Sequence, residues 1–123
     1  MTDRTARRQA FRFGHLGETV AAWALRLKGY RILASRFKTP VGEIDLVACR
    51  GGTLVFVEVK SRRMQGVGEQ PVSPKQQRRI SRAALAFIQQ NQTLASHDIR
   101  FDLMLVRPWA LPQQIRGAWR GDV

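Results

Sequence analysis

GEIDLVACRGGTLVFVEVKS, residues 42–61, holds two β-prone runs separated by Gly51-Gly52. Glycines accept the positive φ angles that two-residue hairpin turns demand, so this stretch predicts an antiparallel hairpin with strands over 42–50 and 53–61. With Gly51 and Gly52 as the loop, Arg50 faces Thr53. Counting outward then pairs Cys49 with Leu54, Val47 with Phe56, Asp45 with Glu58 and Glu43 with Lys60. Leu46, Ala48, Val55, Val57 and Val59 make the opposite face apolar, and Val47, Cys49, Leu54 and Phe56 are apolar beyond the acids. A hairpin apolar on both faces belongs at the centre of a sheet.

Two carboxylates placed directly across such a hairpin are a problem that needs an answer. Opposed Cβ atoms lie roughly 4.5–5.5 Å apart, where like charges repel, and burial penalises each charge further. A cation, a proton or several hydrogen bonds must compensate. A hard divalent ion such as Mg²⁺ or Mn²⁺, taking oxygen ligands and keeping some of its water, satisfies both acids at once. Lys60 follows Glu58 by two residues and points to the same face of its strand, where an ammonium can orient an attacking water or neutralise charge growing on a phosphate. The alternative is a cross-strand ladder of Glu43, Asp45, Glu58 and Lys60 that only stabilises the hairpin.

Around this centre the pattern is mixed. Leu16, Val20, Trp23, Ala24 and Leu27 recur at helical spacing and predict a helix over 14–28 with those residues as its buried stripe, stopped by Gly29. YRILASRF, 30–37, reads as a strand toward a sheet edge because Thr39-Pro40 follows it. Residues 62–73, with two Gly and a Pro, read as a mobile loop. Ser73, Pro74 and Gln76 form a helix start with a capping box, and the helix runs to about Asn91 with Ile80, Ala84, Phe87 and Ile88 inward. DIRFDLMLVR, 98–107, is a further strand, parallel to its neighbour because a helix precedes it, and QQIRGAWR reads as a short edge strand. The order α-β-β-β-α-β describes an α/β fold, a mixed β-sheet flanked by helices in one domain over 1–123, preceded by a mobile basic arm at 1–12.

Composition points to the partner. Lys and Arg number 21 against 9 Asp and Glu, a formal net charge of +12. The isoelectric point is near 11.6, a footprint suited to polyanions and first of all to nucleic acid. Arg62 and Arg63, directly after the Lys60 strand, and Lys75, Arg78, Arg79 and Arg82, on the first turns of the second helix, are the candidate phosphate contacts. Trp23, Trp109 and Trp119 are able to stack bases, although Trp23 on the helical stripe reads as core. Asp102 reads as one half of a structural ion pair. The single Cys49 excludes an internal disulfide and suggests a reducing compartment, with cytoplasm the default. No apolar run reaches the ~18 residues of a membrane span, and two histidines with one cysteine are too few for a structural zinc site.

An Asp on one strand of a hairpin, Glu-x-Lys on the next and a Glu on the preceding helix together resemble the PD-(D/E)xK nuclease superfamily, which includes restriction enzymes and archaeal Holliday-junction resolvases. More closely, Gly14-x-x-Gly17-Glu18-x-x-Ala21, Gly29-Tyr30, Gly42-Glu43-Ile44-Asp45, Phe56-Val57-Glu58-Val59-Lys60, Lys75 and Arg100-Phe101-Asp102 resemble the YraN-like family of small bacterial proteins, over about residues 14–106. The resemblance implies a restriction-endonuclease-like fold. It implies that Asp45 and Glu58 ligate Mg²⁺ or Mn²⁺ with the Val59 carbonyl, that Lys60 is the catalytic lysine, and that Glu18 is the accessory acid some resolvase-like members bring to the metal. Ile44 stands where the superfamily's Pro would be. The implied activity is hydrolysis of phosphodiester bonds in DNA, linear, flapped or branched, by an endonuclease that a homodimer would suit. The alternatives are a non-catalytic nucleic-acid-binding protein on the same scaffold and a basic protein docking on RNA.

Overall fold

In a computed structural model, residues 16–61 and 72–121 are described. The basic arm at 1–12, most of the loop at 62–73, and with it Arg62 and Arg63, lie outside them. A first helix, α1, is described over 16–27. It is followed by strands β1 (Arg31–Thr39), β2 (Gly42–Arg50) and β3 (Thr53–Ser61), helix α2 (Pro74–Gln90), a short 3₁₀ turn (Gln92–Leu94), and strands β4 (Asp98–Val106) and β5 (Gln113–Trp119). The sheet order is β1-β2-β3-β4-β5. Only the β3–β4 pair is parallel, joined by the α2 crossover.

The hairpin forms in the register counted from its diglycine loop: Arg50 pairs with Thr53, Cys49 with Leu54 and Val47 with Phe56. Gly51 takes a φ of 57° in the turn. Because β2 and β3 are central, both faces are covered, which gives a three-layer α/β/α arrangement. On one face Ile44, Val47, Leu54 and Phe56 pack under Ile80, Ala84 and Phe87 of α2. On the other, Leu46, Ala48, Val55 and Val57 pack under Ala21, Ala22 and Leu25 of α1. Phe56 anchors the first layer, stacked on Phe101 with centroids 5.6 Å apart and edge-on to Phe87 at 6.0 Å.

Helix α2 starts as its sequence predicts. Pro74 opens the first turn, the Ser73 hydroxyl accepts from the Gln76 N–H, and the Gln76 side chain accepts from the Ser73 N–H. It ends at Gln90, where the Asn91 side chain donates to the Phe87 carbonyl. Its inward face is Ile80, Ser81, Ala83, Ala84 and Phe87, while Ile88 is only partly covered.

The stripe predicted for the first helix is rotated. Leu16, Trp23 and Leu27 are 58 %, 59 % and 86 % exposed, and Ala21, Ala22 and Leu25 are buried instead. The cause is close packing. A Cβ at Gly17 would overlap the Ser61 hydroxyl, so α1 lies against the end of β3 along its small residues, and larger side chains on that side would hold it away. Trp23 is therefore a surface residue under the Arg26 guanidinium rather than core. The edge strand QQIRGAWR is realised as β5, antiparallel to β4. Among the described residues no helix is long and apolar enough to cross a membrane.

Candidate metal and nuclease site

The acids sit where the hairpin forks. The β2–β3 ladder runs from Arg50–Thr53 to Leu46–Val57 and stops there, whereas β3 stays paired with β4 through Ser61–Val106. On the other side, the β1–β2 pairing passes from Ser35–Leu46 to Phe37–Ile44 without an Arg36–Asp45 pair, and Arg36 takes a left-handed φ of 54°. Asp45 thus lies at a local break on both sides of β2. Its side chain closes the gap: Oδ2 accepts the Val59 N–H at 2.8 Å, standing in for the backbone acceptor that the fork removes. The Glu43–Lys60 opposition counted from the loop does not form, because the strands have already parted. Glu43 pairs with Lys38 of β1, and Lys60 turns to Glu58 on its own strand.

Asp45 and Glu58 nevertheless meet, their carboxyls within hydrogen-bonding reach. Burial and the adjacent Asp45 push the Glu58 carboxyl up to about 8, with Lys60 pulling the other way. Burial also raises Asp45, assisted by the charge of Glu18 and opposed by the Val59 N–H. Both carboxyls are thus biased toward holding a proton, the cheapest substitute for a cation. Lys60 Nζ stands 3.5 Å from Glu58 Oε1, with the two side chains 19 % and 13 % exposed, so the ammonium is held against the acid and only partly hydrated.

A cleft of about 250 Å³ opens beside the pair, lined by Glu43, Asp45, Glu58, Gln76, Arg79 and Ile80. Helix α2 is held over it by a backbone approach. A Cβ at Gly42 would overlap the Arg79 carbonyl oxygen, so only glycine at the start of β2 lets this turn of the helix come down beside Asp45. Glu18 reaches the neighbourhood from α1, close enough to raise Asp45, and is held by Arg36 Nε at 2.7 Å. The same glycine-led contact that seats α1 against β3 sets its height.

The residues named from sequence thus divide. Asp45, Glu58, Lys60 and Val59 come together at the fork, whereas Glu18 lines a separate hollow with Arg36 and Leu46, near enough for its charge to act on Asp45. Lys75, Arg78, Arg79 and Arg82 are exposed along α2, and of these Arg79 lines the acid cleft. Arg78 and Arg82 border a shallow hollow with Ser81 and Leu85. Asp102 is apart, fully buried and bound by Arg100, Gln114 and Gly117, a structural ion pair as expected. Sequence reasoning missed Arg36 and the place of Gln76 in the cleft. The cap motif fixes the position of Gln76 on the helix, but nothing in the residue order announces an arginine in a left-handed conformation.

The donor set fits a hard divalent cation. Among the described residues no three His, Cys, Asp or Glu side chains form a ready-made metal cage, so the fit rests on the Asp45–Glu58 pair. Two carboxylates, a backbone carbonyl and retained water are a sufficient set for Mg²⁺, which seldom uses an all-protein cage. A proton held by either acid is what such an ion would displace.

Residues 17–106 match the model of a family described as Uncharacterised protein family UPF0102. Three relatives each carry the name UPF0102 protein. That of Chelativorans sp. (strain BNC1) is 47 % identical over 94 % of this chain and 94 % of its own length. That of Paramagnetospirillum magneticum is 48 % identical over 95 % and 94 %. That of Rhodopseudomonas palustris (strain HaA2) is 49 % identical over 95 % and 89 %.

Proposed function

This chain belongs to the UPF0102 family, and from the geometry of its acid cleft we propose that it is a Mg²⁺- or Mn²⁺-dependent endonuclease hydrolysing phosphodiester bonds in DNA. The observation that carries the reading is the contact of Asp45 with Glu58 in a hairpin fork, with Lys60 against Glu58. A stabilising ladder would pair acids with bases across the strands. Here two acids face each other at a cost, and a base stands to one side.

Asp45, Glu58 and the Val59 carbonyl are the groups that would hold the cation, with Glu18 the accessory acid once it leaves Arg36. Bound there, the ion would supply charge stabilisation to the scissile phosphate and acidity to a water. The chain's own groups do the rest. Lys60 holds an ammonium where it can orient the attacking water or offset charge on a non-bridging oxygen. The Val59 N–H fixes one lone pair of Asp45, which keeps that carboxyl aimed into the fork. Arg79, at the cleft wall, and the exposed Lys75, Arg78 and Arg82 receive the backbone.

The exposed basic row would also serve a non-catalytic nucleic-acid-binding protein, and the two readings separate cleanly. Calorimetric titration with Mg²⁺ or Mn²⁺ is expected to give binding for the parent and none for Asp45→Ala. Cleavage assays on linear, nicked, flapped and four-way DNA are expected to show metal-dependent products that Glu58→Ala abolishes while DNA binding persists. A parent protein that cuts none of these with either ion, yet binds DNA regardless of Glu58 and Lys60, refutes the enzymatic reading.

A further inference from the structure

Trp109 is 104 % exposed and takes a φ of 63°, a left-handed conformation that bulky side chains rarely adopt. Trp119 is stacked on Phe101 in the core. Trp109 instead tops the turn between β4 and β5, Arg107-Pro108-Trp109-Ala110-Leu111-Pro112, where Leu111 is also exposed. Two prolines stiffen this turn. Backbone strain and an unburied indole both cost the free protein, and strain of this kind concentrates where a ligand is to be met.

Its place in the fold says which ligand. β3 and β4 are parallel and in register to their ends, with Lys60 beside Leu105 and Ser61 beside Val106. The turn therefore leaves the sheet at the same rim as Glu58 and Lys60. Trp109 follows Val106 by three residues, within about 10 Å along the chain. Arg107, partly exposed, flanks it, in a chain of net charge +12.

We propose that Trp109 is a stacking platform for an unpaired base of a DNA strand, with Arg107 on the adjoining phosphate, so that the site is directed to duplexes carrying a single-stranded branch. This rests on the nuclease reading for the identity of the rim, but its test is one of binding. An aromatic face accepts any base that is free of its partner, whereas the bases of an intact duplex are stacked on each other and offer no face to it.

Binding is measured without divalent metal, for a fully paired duplex and for the same duplex with a single-stranded flap. The parent is expected to prefer the flapped form, and Trp109→Ala to lose about tenfold or more on the flap, the loss typical of one base–aromatic stack. The paired duplex is expected to bind Trp109→Ala and parent alike, and Trp109→Phe is expected to keep most of the preference. Equal binding of both DNAs by the parent, or a preference that survives Trp109→Ala, overturns the proposal. So does a dimer in sedimentation that Trp109→Ala dissolves while the flap preference stays unchanged, since a second copy would then be the occupant. A Trp109-dependent preference in a protein that cleaves nothing would leave the platform standing and remove the nuclease. A parent that binds neither DNA overturns the platform and leaves the nuclease to the cleavage assay.

Discussion

Two acid sites on this sheet, one buried at Asp102 and one partly buried at Asp45 and Glu58, are built in opposite ways. Asp102 has every lone pair in use. Arg100 donates from Nε and Nη2 at 2.8 and 2.9 Å, Gln114 Nε2 donates at 2.9 Å, and the Gly117 N–H donates at 3.0 Å across the irregularity between β4 and β5. Arg100 is itself tied to the Tyr30 hydroxyl at 2.7 Å. Among the described residues, the Asp45–Glu58 pair has one backbone donor, one ammonium at 3.5 Å and each other. A carboxylate that holds the fold together is saturated. One kept short of partners, beside an open cleft, is available for a ligand.

The sharpest way to break the contrast is to exchange the consequences. Glu58→Ala or Asp45→Asn is expected to lower metal-dependent cleavage by about 10³-fold or more, since a metal site contributes several kcal/mol to the transition state. Neither should lower the denaturation midpoint. Asp102→Ala is expected to do the reverse. Removing one partner of a buried pair costs about 3–5 kcal/mol, here toward the lower figure because Arg100 is partly exposed, and urea unfolding would read it. Loss of cleavage in Asp102→Ala out of proportion to the unfolded fraction would dissolve the distinction.

The pH dependence sharpens it further. The Glu58 carboxyl is raised from 4.5 to about 8, so its contribution to stability is fully present below pH 4.5 and is lost as pH rises toward 8. The metal-free protein should therefore melt lower at pH 8 than at pH 5.5, by roughly 5 °C or more, and Glu58→Gln should flatten that slope. Mg²⁺ or Mn²⁺ should restore more stability at pH 8 than at pH 6, because less bound proton then has to be displaced. Differential scanning calorimetry at the two pH values checks each sign.

Smaller effects test the scaffold around the site. Gly42→Ala is expected to cost about 1–3 kcal/mol by pushing α2 off β2, with a larger loss in cleavage than in DNA binding. Arg79→Ala is expected to lower the salt dependence of DNA binding by about one phosphate contact, seen as a logarithmic slope reduced by ~0.9 in a salt titration.

Much of this was legible in the residue order, for identifiable reasons. The diglycine loop fixes a register, and register fixes that Asp45 and Glu58 approach each other. The cap at Ser73 and Gln76 depends only on neighbours in sequence. What was not legible depends on the third dimension. The fork that separates Glu43 from Lys60 arises at a break in β2 pairing opposite a left-handed Arg36, which no periodicity encodes. The rotation of α1 follows from a glycine contact with Ser61, a residue 44 positions away, so hydrophobic spacing alone placed Val20 and Ala24 against the core correctly but took the exposed Leu16, Trp23 and Leu27 for core.

The irregularities in the outer strands bear on self-association. β1, at one border of the sheet, carries a register shift between Ile32 and Ala34 and the left-handed Arg36, and β5, at the other, carries the shift opposite Asp102 with Gly117 at a φ of 58°. Interrupted borders of this kind make poor templates for strand addition. Copies of this chain are thereby discouraged from growing into a continuous ribbon by edge-to-edge pairing of β1 or β5.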